Sequence, residues 1–192
     1  MRYKPRDYVG ENHLTVGSDI LSVLDAVPLA SQVLGPGLTA RLQSVKPDGW
    51  YAIDLLLEAM DSMADKLGRF ALLQMGRKLF HASHADAFKK VAHSAGDLVF
   101  SMNAMYRSAN RGTRIGGWDV VLFQPGKAEL IKSTPHHCVM EEGILTEALL
   151  ALQIPALVEQ RECVRKAAPY CRYQLVSPVT GELWLGKHPL LP

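Results

Sequence analysis

The spacing of apolar residues changes near residue 110, and this change restricts the possible folds more than any other feature. Before Asn110-Arg111-Gly112, apolar residues recur at intervals of three and four, most clearly over residues 50–64, which predicts amphipathic helices. After it, two runs over residues 115–123 and 127–132 flank a Pro-Gly turn and predict a β-hairpin. We therefore expect an α+β fold, with N-terminal helices packed on a C-terminal antiparallel sheet and one inserted helix.

The helical part contains several predicted segments. A short helix begins after Ser18-Asp19 and stops at Pro28, and a core-facing helix runs from its N-cap Asp48 to Gly68. Two more helices are predicted over residues 70–82 and 86–106. These segments make the first half of the chain predominantly helical.

The second half carries the inserted helix and the remaining strands. Residues 141–152 predict the helix, with two acids in its first turn, and residues 158–164 and 170–176 predict strands. Glu182–Leu185 predicts a short edge strand. We expect one domain over residues 1–192, with an N-terminal extension at 1–16, a helical part at 17–110 and a sheet part with the cysteines at 111–186.

Composition argues against two classes of partner. The formal charge is only +2, and the basic residues are interspersed with acids, so the sequence predicts no direct nucleic-acid binding. No apolar run approaches the roughly 20 residues that span a bilayer, and the N-terminus lacks the apolar core of a signal peptide. We therefore expect no membrane association and a cytoplasmic location, where the three cysteines stay reduced.

The cysteines belong to a recognisable pattern in the C-terminal third. It consists of Thr134-Pro135-x-x-Cys138, a helix with Gly143, Glu159-x-x-x-Cys163, and Cys171-Arg172-Tyr173. This pattern resembles the 4-vinyl reductase domain, which occurs in bacteriochlorophyll biosynthesis proteins and in the sensory domains of phenol-responsive transcription activators. The same superfamily includes heme-NO/oxygen-binding (H-NOX) domains and some vesicle-tethering subunits of Golgi transport. The resemblance implies a ligand-binding domain.

The resemblance also implies a structural zinc site at Cys138, Cys163 and Cys171, because relatives with this trio bind zinc through thiolates and a fourth ligand. The relatives have Glu or His three residues before the middle cysteine, where this chain has Gln160. In a regular strand Glu159 points to the same side as Cys163, so we expect Glu159 to be the fourth ligand. Buried free thiols are the alternative.

Heme is a second possible cofactor, which we rank below zinc. H-NOX domains hold heme with a histidine on a helix and a Tyr-x-Ser-x-Arg segment that contacts the propionates. The nearest equivalent here is Tyr106-x-Ser108-x-x-Arg111, which is one residue longer, with His81 as the candidate axial ligand. A heme-binding gas sensor is therefore an alternative function.

The main functional prediction is a sensory domain that binds a small apolar or aromatic molecule and signals to a separate effector protein. Trp118, His93, Tyr106 and Met102 are the candidate pocket residues, chosen because an apolar cavity with few polar groups suits such a ligand. A dimeric assembly module that binds no ligand is the rival, and we expect a homodimer. Trp118 and Tyr106 as ordinary core residues are the simplest alternative.

Enzymatic activity is not expected. The only candidate nucleophile is Cys138, which follows His136 and His137, and neighbours in the chain rarely face each other as a catalytic pair. Redox sensing by this thiol is a weaker possibility. The sequence has no phosphate-binding glycine loop and no recognisable nicotinamide or flavin motif.

Overall fold

The computed structural model describes residues 4–192, apart from the side chains of residues 83 and 87. Its helices are α1 (Gly17–Ala26), α2 (Ala30–Leu34), α3 (Pro36–Gln43), α4 (Ile53–Lys66), α5 (Arg69–Leu79), α6 (Ala85–Val91), α7 (Ala95–Ala109), α8 (Cys138–Ala151) and α9 (Glu182–Leu185). Its strands are β1 (Glu11–Val16), β2 (Trp50–Ala52), β3 (Asn110–Thr113), β4 (Trp118–Gln124), β5 (Lys127–Lys132), β6 (Leu157–Glu162) and β7 (Cys171–Val176).

Two antiparallel sheets organise the chain. The larger has the order β4-β5-β7-β6, so β5 and β7 are central and lie side by side without being consecutive. The smaller has the order β2-β1-β3, so the N-terminal strand pairs with β2, which lies between α3 and α4, and with β3, which follows α7. Mixed helix and antiparallel sheet confirm the predicted α+β class.

The apolar side chains divide into two cores. One is formed within the helical part by α1, α3, α4 and α5, and includes Ile20, Leu42 and Met63. The other lies between α6, α7, α8 and the inner face of the larger sheet, and includes Phe88, Leu98 and Tyr173. Helix α8 contributes to both cores, so it is the element that holds the helical part and the sheet part together.

The closest helix packing joins α5 to α8. A Cβ at Gly76 would lie 1.9 Å from the carbonyl oxygen of Met140, and a Cβ at Gly143 would lie 2.2 Å from that of Leu73. Only glycine allows the two backbones to approach this closely. Ion pairs flank the crossing, with Arg69 donating to both carboxylate oxygens of Glu142 at 2.7 Å.

Helix α5 continues into a π-helical turn over Phe80–His84 before α6 begins. A π turn shifts the phase of the side chains relative to a continuous α-helix. Phe80 is therefore buried and His84 faces the interior, whereas His81 is exposed. The sequence predicts an ordinary helix here, because no residue type marks a π turn.

Several predicted elements were wrong in detail. Trp50–Ala52 is strand β2 and not the start of a helix, because it pairs with Leu14–Val16 of the segment that we predicted to be an N-terminal extension. The helix predicted over residues 86–106 is interrupted, since Ser94 starts a new helix by accepting a hydrogen bond from the Asp97 amide. Asn110–Thr113, where the helical pattern ends, is strand β3.

The predicted edge strand Glu182–Leu185 was also wrong, because these residues form the short helix α9. The indole of Trp184 is buried and donates to the carbonyl of Gln124 at 2.8 Å, which fixes this helix against the end of β4. The chain instead covers the β4 edge at one isolated bridge between Phe123 and Leu191.

None of the helices in residues 4–192 is long and apolar enough to cross a membrane.

Candidate ligand-binding cleft

A cleft lies between the helical part and the sheet part, with walls from α1, α4, the π turn, α7 and α8. The space between its walls is about 820 Å³, part of it open to solvent. Its apolar walls are formed by Leu56, Met60, Leu79, Phe80, Leu98, Met102, Met105, Trp118, Met140, Ile144 and Ala148. Such an apolar cleft with a few polar groups is typical of a small-molecule site.

Two buried imidazoles face this cleft. Burial lowers the pKa of His84 and holds the pKa of His136 well below 6.5, with the nearby positive charge of Lys132 as a further cause for His136. Both rings are therefore neutral at pH 7. The Nδ1 atom of His136 is buried and has no hydrogen-bond partner among the described residues. A neutral imidazole with a free nitrogen can accept a hydrogen bond or bind a metal.

Two carboxylates also line the cleft, and their surroundings differ. Glu141 has a partner, because the buried ammonium of Lys132 lies 3.5 Å from its Oε1 atom and donates to the carbonyl of His136 at 2.7 Å. For the Asp19 carboxylate, no hydrogen-bond or ion-pair partner is found within residues 4–192. Burial, followed by the charge of Glu141, raises the pKa of Asp19 to about 7.

Three of the four predicted pocket residues line this cleft. Met102, Tyr106 and Trp118 contribute to its wall. His93 does not, because it is exposed and its backbone amide donates to Asp97 where α7 begins. His84 and His136 instead provide the imidazole groups that we expected His93 to contribute to the cleft.

The residues predicted for heme are not brought together. His81 is exposed and its Nε2 atom contacts Glu147 at 2.8 Å, so it faces α8. Ser108 is exposed and donates to the carbonyl of Met105. The guanidinium of Arg111 lies 4.1 Å from the ring centroid of Trp50. Only Tyr106 lines the cleft, and its hydroxyl donates to the carbonyl of Ile115 at 2.5 Å.

The three cysteines do converge, beside the cleft at the start of α8. Their Sγ atoms all lie within 4.8 Å of one another, and those of Cys138 and Cys163 are 3.1 Å apart. All three side chains are buried. Hydrogen bonding with Cys163 holds the pKa of the Cys138 thiol below its usual range.

Glu159 is not the acid beside these thiols. The register of β6 shifts between Gln160 and Glu162, which breaks the alternation on which the prediction depended. The Glu159 carboxylate therefore pairs with Arg161 at 2.5 Å, while the Gln160 amide faces Cys138. The Nε2 atom of Gln160 is buried and unpartnered among the described residues.

Sequence reasoning missed the three polar groups that most define the cleft. Asp19 reads as a helix cap, His136 as a neighbour of Cys138, and His84 as a solvent-exposed residue near a helix end. The run His136-His137 before the inserted helix was the one available signal, because two polar rings next to buried apolar residues need a structural explanation. The π turn that directs His84 inward leaves no such signal.

Comparison with known proteins identifies the fold. No family model matches the sequence, and no characterised protein matches it in sequence. Solved structures do match. An H-NOX protein from Shewanella oneidensis in the Fe(II)NO ligation state has a TM-score of 0.62 and 17% identity, over 83% of this chain and 98% of that chain.

Two further H-NOX structures have a similar fold. The Fe(II) unliganded protein from K. algicida has a TM-score of 0.62 and 11% identity, over 84% of this chain and 96% of that one. An oxygen-binding H-NOX domain related to soluble guanylate cyclases, in its oxygen complex, has a TM-score of 0.59 and 11% identity over 85% and 93%. The fold is therefore H-NOX-like, whereas the 4-vinyl reductase and Golgi-transport parts of the resemblance stay predictions.

These comparisons correct our ranking of cofactors. We placed zinc above heme on the basis of the cysteines, but the similar structures are H-NOX proteins in Fe(II)NO, Fe(II) unliganded and oxygen-bound states. Zinc as the preferred cofactor was wrong, and heme is the cofactor to which the neighbours point. The cysteine cluster alone is only a weak indication of a metal.

Proposed function

We propose that this protein is a sensory domain that binds its ligand in the cleft and signals to a separate effector. The observation that carries the proposal is the buried Nδ1 atom of His136, which lines a mostly apolar cleft, makes no hydrogen bond to a described residue and lies 4.0 Å from the Oε1 atom of Glu141. A buried polar atom without a partner is destabilising in the free protein, and a ligand that satisfies it recovers that free energy. Nothing in this arrangement favours catalysis over binding.

Heme is the first candidate occupant, and it would make the domain a gas sensor. The H-NOX neighbours support it, and so do two neutral imidazoles in the cleft, either of which suits an axial ligand. His84 and His136 replace His81 in this role, because His81 faces Glu147. Bound heme would supply an iron that binds diatomic gases, and the apolar wall would exclude water from it.

The propionate end of heme is less well matched. None of the described residues that line the cleft is Lys or Arg, and two of them, Asp19 and Glu141, are acids. Carboxylates gain most from pairing with guanidinium groups, and here Arg111 is engaged with Trp50 outside the cleft. Propionates would therefore have to lie at the solvent-exposed mouth.

Direct binding of a small organic molecule is the second candidate. The lining of the cleft favours it, because a mostly apolar wall with a few polar groups suits a single aromatic ring and needs no cation to pair with propionates. The same acids that disfavour propionates are compatible with a neutral or cationic ligand. A signal would then arise because the ligand stabilises one arrangement of α8, which belongs to both cores.

A heme titration separates the two candidates. Hemin is added to the reduced protein, and the absorption spectrum is recorded for the wild type and for His84→Ala, His136→Ala and His81→Ala. If heme is the occupant, a Soret band appears at one heme per chain, one of the first two variants loses or shifts it, and His81→Ala keeps it. A wild-type protein without a Soret shift excludes heme and leaves the organic ligand.

A further inference from the structure

The cleft contains one charged group whose surroundings do not explain it. Asp19 lies in the first turn of α1, where an acid normally stabilises the helix dipole from a solvated position. Here its carboxylate lines the apolar cleft, and within residues 4–192 it has no hydrogen-bond or ion-pair partner. The Asp19 side chain is half-buried, so solvent still reaches it in part, and a partly desolvated carboxylate without a partner remains unfavourable.

The other charges around the cleft do not compensate Asp19. Glu141 already contacts Lys132, and its own negative charge adds to the unfavourable environment of Asp19. The facing imidazoles of His84, His136 and His137 all have lowered pKa values and are neutral at pH 7, so none offers a positive charge. No described residue that lines the cleft therefore offers a positive charge to Asp19, and a cationic ligand would supply the one it lacks.

The remainder of the wall suits an organic cation better than a metal ion. Three aromatic residues, Phe80, Tyr106 and Trp118, line the cleft with Asp19. Aromatic faces attract organic cations as well as apolar groups. Within residues 4–192, three metal-binding side chains close enough to share an ion occur only at the cysteine cluster, which does not include Asp19.

We propose that the physiological ligand of the cleft is a small molecule with an aromatic or apolar body and a protonated amine, and that the Asp19 carboxylate binds the amine. Asp19 is thus the residue that determines specificity. This proposal rests on the second candidate of the proposed function, because a heme in the same cleft would leave no room for it. The amine gains an ion pair, and the apolar body gains contact with the methionines and aromatic rings.

The test uses pairs of ligands that differ only in the amine. Benzylamine and phenethylamine are compared with benzyl alcohol and 2-phenylethanol by calorimetry on the full chain at pH 8. The proposal predicts that each amine binds the wild type at least about tenfold more tightly than its alcohol, which corresponds to about 1.4 kcal/mol. Asp19→Asn should reduce this ratio to about one while alcohol binding remains.

Asp25→Asn is the matched control, because Asp25 is exposed on the same helix. It should keep the full preference for amines. Equal binding of amine and alcohol to the wild type, or a preference that survives in Asp19→Asn, contradicts the inference. If a neutral aromatic or heme binds and no amine does, the inference fails and the proposed function stands. If none of these compounds binds, both fail.

Discussion

Asp19 is the residue whose proposed role in binding most clearly costs the protein folding stability. Its pKa is raised to about 7, first because of burial and second because of Glu141. The folded protein therefore holds this proton more tightly than the unfolded chain does, where the pKa is near 3.8. Stability from this group is complete below about pH 4 and is lost as the pH rises through about 7.

The corresponding prediction concerns Asp19→Asn in the absence of ligand. The amide cannot ionise, so the variant should become more stable than the wild type as the pH rises from 4 to 8, by about 2–4 kcal/mol in unfolding free energy. Urea denaturation at several pH values measures this difference. Asp25→Asn should show no such pH-dependent change, and parallel curves for Asp19→Asn and the wild type would contradict the account.

The sequence predicted individual site residues correctly when it relied on their chemical character and their region of the chain, and incorrectly when it relied on regular strand geometry. Met102, Tyr106 and Trp118 were chosen for their character and region, and all three line the cleft. Glu159 was chosen from strand alternation, and the bulge in β6 reverses its direction. A bulge depends on how β6 pairs with β7, which one strand's sequence does not encode.

The element that connects the two halves of the domain is helix α8. It crosses α5 at Gly76 and Gly143, it contributes to both cores, and its first turn reaches the cleft with Met140 and Glu141. A change in the cleft therefore acts on the helix that both cores share. We expect this crossing to limit the stability of the whole domain.

Replacement of Gly76 by Ala tests the crossing. The added Cβ would lie 1.9 Å from the Met140 carbonyl oxygen, so the backbones must separate, at a cost of about 1–3 kcal/mol. Thermal denaturation should show a melting temperature lowered by roughly 3–10 °C. Gly37→Ala in α3 is the control, because nothing lies within 4 Å of its Cβ position and the change should be neutral or stabilising. Similar melting temperatures for the two variants would argue against the close crossing.

The local sequence pattern predicted those helices and strands whose conformation does not depend on contact with a segment far away in the chain. Strand β5, Lys127–Lys132, has the bounds that its sequence and the preceding turn predict. Strand β2 was missed because Trp50–Ala52 continues the helical pattern of α4, and only pairing with β1 extends it. The π turn was missed because it depends on the packing of α5 and α6 on the rest of the domain.

At the scale of the whole molecule, the structure consists of two cores with a cleft between them. The similar structures show an H-NOX-like fold, while the cleft as the ligand site and its occupant are our proposal. We propose that the ligand site is this cleft, whether the ligand is heme or an organic amine. That claim can be tested without knowing which of the two is correct.

The most direct measurement is the rise in melting temperature that hemin or phenethylamine causes in the wild type, in Ala109→Phe and in Ala104→Phe. Ala109 lines the cleft, whereas Ala104 is exposed on the same helix α7. At a hundredfold excess over Kd, a ligand adds about 2.7 kcal/mol, or roughly 5–10 °C. We predict that one of the two ligands gives this rise in the wild type and in Ala104→Phe and not in Ala109→Phe. No rise with either ligand, or an equal rise in Ala109→Phe, would contradict the claim.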